Sequence, residues 1–221
     1  ETPNRIVMPP LVIWRSDESG RVNDHHLGHY ARSAGPGLMI VEATTVAPEG
    51  RLAATQLGIW SDDHLAGLSR LALTIRDTGA LAGIQIHHAG GNATLEKTYG
   101  LPPRVPSLLD RSPDGSVEMS ASEIEETIEA FRRATRRAIE AGFQVIELHG
   151  AHSYLISQFL SPETNRRSDE WGGTPEKRRR FMCAVVEAAK KEIEASVRAE
   201  LTALTIRLGL AASSPRALSI D

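Results

Sequence analysis

Five short apolar runs separated by helical patterns constrain the fold of this chain more than any other feature. They are RIVMPPLVI at 5–13, GLMIVEA at 37–43, LAGIQIHH at 81–88, FQVIELH at 143–149 and LTALTIRLG at 201–209. Near-continuous hydrophobicity over four to eight residues is how a parallel strand reads when both its faces are covered. Between the runs the apolar period lengthens to that of a helix. At 120–141, Ser120 and Glu123 have the spacing of a capping box, Ile124, Ile128, Phe131 and Ala138 make one stripe, and Gly142 supplies a stop. A second helix is predicted from Asp62 to Thr78, with Leu65, Leu68, Leu71 and Ile75 on one face and Gly79 behind it. A third starts at Thr174, an N-cap followed by Pro175. Strand and helix in alternation predict an α/β protein with a parallel sheet. Polar residues gather after the strands' C-terminal ends: Trp14-Arg15-Ser16, Thr44-Thr45, His87-His88 and His149. A (β/α)8 barrel carries its chemistry there, and no G-x-G-x-x-G follows the first strand to suggest a dinucleotide-binding sheet. Five strands are counted where a closed barrel has eight and takes about 250 residues. The expectation is a single partial TIM-barrel domain over 1–221, with about the first five strand–helix units.

Bulk properties narrow the partners. A formal charge of −3 gives no reason to expect nucleic acid or an anionic membrane. No apolar run approaches the ~20 residues that span a bilayer. The basic run Lys177–Arg180 reads as the solvated face of a helix. Cys183 is the lone cysteine, so neither an internal disulfide nor a multi-cysteine iron–sulfur cluster can form within the chain. The expected compartment is cytoplasmic.

The chemistry concentrates in ELHGAHSYLISQFLSPETNRRSDEWGG, Glu147 to Gly173. His149 ends a strand run, His152 follows three residues later and Tyr154 two after that. Two imidazoles over one opening can donate to a single oxygen and polarise a carbonyl or nitro group, and a phenol beside them can deliver a proton. The alternatives are a bonded histidine pair that fixes a loop, or a metal site drawn from His87, His88, His149 and His152. Gln85 lies inside the third strand, where a buried amide must be paired. It suits either a core contact or the edge of a planar heterocycle. Arg207 lies inside the fifth, where a charge needs an anion or an electron-rich partner, with Glu42 and Glu147 as internal candidates.

The 147–173 stretch, followed by RRRF, resembles the signature of the Old Yellow Enzyme family of FMN-dependent NAD(P)H oxidoreductases. NRIVMPPL resembles that family's first barrel strand, VEATTVAPEGR its second, GIQIHHAGG its third and IRLG its fifth. The likeness runs from Asn4 to about Gly209. It implies a (β/α)8 barrel with FMN at the C-terminal mouth, NADH or NADPH as reductant, and a small α,β-unsaturated carbonyl or nitro compound as substrate, in ping-pong order. It further implies that Pro10, Leu11 and Ala43 line the flavin, that Gln85 bonds its pyrimidine edge and that Arg207 lies near N1 and O2. His149 and His152 would hold the substrate oxygen, Tyr154 would give the proton, and Trp14 would contact substrate. Three positions depart from the pattern: Val12 replaces the usual Cys or Thr, Trp14 the frequent Tyr, and Ser153 the usual Gly. The family's phosphate-binding amides and Arg belong to strands after the fifth, so a homo-oligomer or a further C-terminal segment is expected to complete the barrel. The alternative is a truncated barrel without turnover, acting as a binding or assembly module.

Overall fold

The computed structural model describes residues 2–209. In chain order the elements are β1 (Val7–Met8), α1 (Asp24–Arg32), β2 (Leu38–Thr45), α2 (Leu65–Asp77), β3 (Leu81–His87), β4 (Arg104–Val105), β5 (Val117–Glu118), α3 (Ala121–Ala141), β6 (Val145–Gly150), α4 (Leu155–Leu160), α5 (Pro175–Glu194) and β7 (Ala203–Leu208). Five strands form one parallel sheet in the order β1-β2-β3-β6-β7, and β4 with β5 makes a separate two-stranded pair. Sequence order equals spatial order along the main sheet, as in consecutive units of a (β/α) barrel.

The helices start and stop where the sequence provides the groups. Ser120 accepts the Glu123 N–H and the Glu123 carboxylate accepts the Ser120 N–H, while Gly142 closes α3 at φ +96°. Thr174 caps α5 with Pro175 in its first turn. The predicted 62–78 helix begins as a 3-10 turn at Asp62–His64 before α2 proper. Helix α1 was not expected. Its N-cap Asn23 is reciprocated by the ring of His26 rather than by Glu or Gln, and Gly28 lies mid-helix.

The core lies between the sheet and the helices. Met39, Val41, Ala82, Ile84, Ile86, Ile146 and Leu148 meet Leu68, Leu71 and Ile75 of α2, Ile124 and Phe131 of α3, and Phe181 and Val185 of α5. Ile128, expected in the α3 stripe, is only partly buried against it.

Two strand expectations need correction. Only Val7 and Met8 of the 5–13 run pair with β2, because Pro9 and Pro10 have no N–H to continue a ladder. The fifth run is not covered on both faces. Within β7, Ala203, Thr205 and Leu208 are exposed and Leu204, Ile206 and Arg207 half-buried, and β6 is its one strand partner among the described residues. Lys177, Arg179 and Arg180 are exposed on α5, with Glu176 and Glu170 beside the two arginines. Among the described residues no helix is long and apolar enough to cross a membrane.

Candidate active site

Register places the polar strand residues side by side. Gln85 of β3 pairs with Glu147 of β6, and His149 of β6 pairs with Arg207 of β7. Residues two apart share a face of a strand, so Gln85 and His87 point the same way, as do Glu147 and His149. Gln85 is buried and donates from Nε2 to Glu147 Oε1 at 2.7 Å. Burial raises the Glu147 carboxyl above its ordinary value, opposed by that hydrogen bond and by Arg207. Arg207 is half-buried, less than a charge inside a covered strand would be, and no carboxylate lies within 4 Å of it among the described residues. Of its two expected partners, Glu147 feels its charge. Glu42 turns instead toward the loop after β1, where its Oε2 accepts the Ile13 N–H at 3.0 Å.

The turn after β6 brings the expected trio together. Ring centroids are 5.0 Å apart for His149 and His152, 4.7 Å for His149 and Tyr154, and 6.0 Å for His152 and Tyr154. His149 is buried, His152 exposed and Tyr154 half-buried. The turn is made by two consecutive left-handed residues, His152 at φ +55° and Ser153 at φ +57°. Gln158 secures it from α4 by donating to Ser153 O at 2.6 Å.

The hydrogen bonds assign the protons. Ala151 N–H donates to His149 Nδ1 at 3.2 Å, so neutral His149 carries its hydrogen on Nε2. That atom lies 3.2 Å from His152 Nδ1, which must then accept and leave His152 Nε2–H as the outward donor. Burial, then the charges of His152 and Arg207, hold His149 down at about 3. Burial and Arg207 also lower His152. The two rings thus form a neutral chain with one external N–H, where two parallel donors were expected. Burial raises the Tyr154 phenol above 10, with Arg207 opposing, so it stays protonated at neutral pH.

A further histidine belongs to this cluster. His87 is fully buried, its ring 5.2 Å from Tyr154 and 6.1 Å from His149. Gln56 orients it. Leu52 N–H donates to Gln56 Oε1, and Gln56 Nε2 faces both Ala43 O at 2.7 Å and His87 Nε2 at 2.5 Å. His87 Nε2 is therefore an acceptor, and burial keeps the ring neutral. By residue type His87 reads only as a metal ligand, and its position two residues beyond Gln85, on the same face of β3, is the signal that places it here. His88 turns elsewhere and accepts Gly90 N–H on Nδ1. Among the described residues no group of three or more His, Cys, Asp or Glu is arranged to hold a metal ion.

The loop after β1 is tied to the end of β2, where Ile13 N–H meets Glu42. Pro10 is half-buried, Leu11 is 67% exposed and Trp14 is half-buried at φ +51°. Ala43 is buried in β2 within the register shift between Val41 and Thr44.

Comparison with known proteins agrees with this architecture. Residues 1–212 match the NADH:flavin oxidoreductase / NADH oxidase family. An NADPH dehydrogenase of Geobacillus sp. (strain WCH70) is 48% identical over 192 residues, which are 85% of this chain and 56% of that protein. An NADPH dehydrogenase of Bacillus subtilis (strain 168) is 44% identical over 191 residues, again 85% and 56%. The chain thus spans 56% of the length of these relatives. Among solved structures, morphinone reductase superposes with a TM-score of 0.84 at 30% identity, over 94% of this chain and 58% of its own. An old yellow enzyme homologue from Zymomonas mobilis gives 0.83 at 30% identity, over 93% and 59%.

Proposed function

Because the chain belongs to the NADH:flavin oxidoreductase / NADH oxidase family, we propose that it is the catalytic part of an FMN-dependent oxidoreductase. In this reading NADPH or NADH is the reductant, and the substrate is a small compound whose C=C bond is activated by a carbonyl or nitro group. The observation that carries the reading is the cluster at the ends of β3, β6 and β7. Two neutral, mutually bonded imidazoles and a protonated phenol stand beside a guanidinium whose charge reaches both rings, the phenol and Glu147.

The residues present fit a flavin. Arg207 offers a positive charge to an electron-rich edge, the Gln85 amide retains Oε1 as an acceptor, and exposed Leu11 offers an apolar surface to a planar ring. Pro10 and Ala43 would line the same ring. FMN, when bound, would supply hydride chemistry between the nicotinamide and the substrate's C=C bond. The protein orients and polarises. His152 Nε2–H would receive the substrate oxygen, and His149 would support it through the bond to Nδ1, so charge developing on that oxygen meets a preset dipole. Tyr154 would pass its phenolic proton to the α-carbon, and Trp14 would contact the substrate.

Tyr154→Phe separates the proton step from the rest. Stopped-flow traces should show flavin reduction by NADPH unchanged and reoxidation by an enone slowed about 100-fold, the scale of a lost general acid. Quinones, which do not need this proton, should be affected far less. Equal losses with enone and quinone would remove Tyr154 from the role.

A further inference from the structure

We propose that Glu42 is a positioning residue of the mouth, seating the Leu11–Trp14 loop through its carboxyl group. Its side chain is 0% exposed. Oε2 accepts the Ile13 N–H at 3.0 Å, and the Trp14 N–H lies near enough to the same carboxyl to favour its charged form. Trp14 lies in the left-handed region at φ +51°. Two successive amides of the loop after β1 thus face one acidic side chain from the neighbouring strand. That acid immediately precedes Ala43, so one stretch of β2 would set the flavin wall and the loop tied to it.

The surroundings leave Glu42 little else to do. Its Oε1 has no hydrogen-bond partner, and neither does His26 Nε2, 3.9 Å away on α1. His26 Nδ1 is taken up by Asn23 at the helix N-cap. The same Asn23 donates from Nδ2 to Arg15 O at 2.6 Å, so α1 holds the far end of the loop that Glu42 holds at its centre. Tyr30 of α1 accepts the Glu42 backbone N–H at 2.9 Å and completes the titratable groups against it. A buried acid without a cation, holding a backbone amide of a mouth loop, is costly to retain for packing alone.

The inference rests on the proposed flavin site for its purpose, and its test has a readout that does not. Hydrogen–deuterium exchange resolves the peptide covering 11–15, with α3 as the control for global folding. Glu42→Leu keeps the volume and removes the acceptor; Glu42→Gln keeps both. Exchange across 11–15 should rise at least about tenfold in the Leu variant and stay near wild type in the Gln variant, with α3 protection unchanged. FMN affinity, read from quenching of flavin fluorescence, should fall about tenfold with Leu and stay within about twofold of wild type with Gln. Should the Leu variant lose α3 protection, Glu42→Asp decides, since its shorter side chain withdraws the acceptor from Ile13 N–H and should raise exchange at 11–15. Wild-type exchange in a folded Leu or Asp variant overturns the proposal. If no variant and no wild-type protein binds FMN, the flavin reading fails while the exchange result still tests the seating.

Discussion

Ser153 at φ +57° follows His152 at φ +55°, and neither is a glycine. A left-handed conformation costs an L-residue roughly 1–2 kcal/mol, and glycine in its place costs roughly 0.5–1 kcal/mol in chain entropy. Ser153→Gly is therefore expected to stabilise the protein by about 0.5–1 kcal/mol, read as a rise in the urea midpoint. The contact to Gln158 survives because it uses the Ser153 backbone carbonyl. A fall in the midpoint would show that the serine hydroxyl does more for the turn than its backbone costs. Glu42 gives a second prediction. Burial raises its pKa from 4.5 to about 7, against the backbone N–H groups of Ile13 and Trp14. A raised carboxyl stabilises the fold fully below 4.5, where folded and unfolded chains are both protonated. It loses that contribution as pH climbs from 4.5 through about 7. The span corresponds to roughly 3 kcal/mol. Glu42→Gln should show no such loss, so its stability relative to wild type should grow between pH 5 and pH 8. A constant difference would mean that Glu42 is not titrating in this window. The sequence carried His149, Tyr154 and Gln85 because an unusual side chain in an apolar run is visible as such. It did not carry the Glu42–Ile13 bond, since a backbone N–H has no residue-type signature and the loop's path is set by tertiary contacts. It pointed to Arg207 for Glu42, which only the direction of the side chain corrects.

Elements were legible in proportion to their punctuation. Helix α3 has a reciprocal cap, a sustained stripe and a left-handed glycine, and it runs Ala121–Ala141. Removing the cap should cost about 1 kcal/mol, so Ser120→Ala is expected to lower stability by that amount without altering the sheet. Thermal melts of the variant check it; an unchanged midpoint would mean that Ser122, whose hydroxyl lies 3.0 Å from that of Ser120, takes over. Helix α1 was hidden because its capping partner is a histidine and its nine residues include Gly28 and three histidines, which lowers propensity. Helix α4 has six residues and begins directly after the left-handed turn, too short to show a helical period. Strand β1 read longer than it is because hydrophobicity reports burial while a ladder needs N–H donors, which Pro9 and Pro10 lack.

At the scale of the molecule, the sheet has two outer strands that differ in consequence. β1 pairs through two residues, and the prolines after it blunt that edge. β7 pairs with β6 along its full length, from Ala203 to Leu208, and among the described residues its other side has no strand against it. Apolar side chains gather at these ends: Ile6 is 64% exposed, Val7 49%, Leu201 64% and Leu208 46%. An unpaired strand flanked by exposed apolar groups is a template for another chain. In the proposed site Gln85, Arg207 and Leu11 would face the flavin ring, at the same end of the sheet as the open side of β7. The polypeptide is expected to self-associate along β7 wherever that edge is left uncovered. Gel filtration reads the association. Self-association should ease when a charge is placed on the edge, and Thr205→Lys on exposed β7 is the direct trial. A monodisperse monomer would overturn the expectation, because it would require the β7 edge to be covered within one chain.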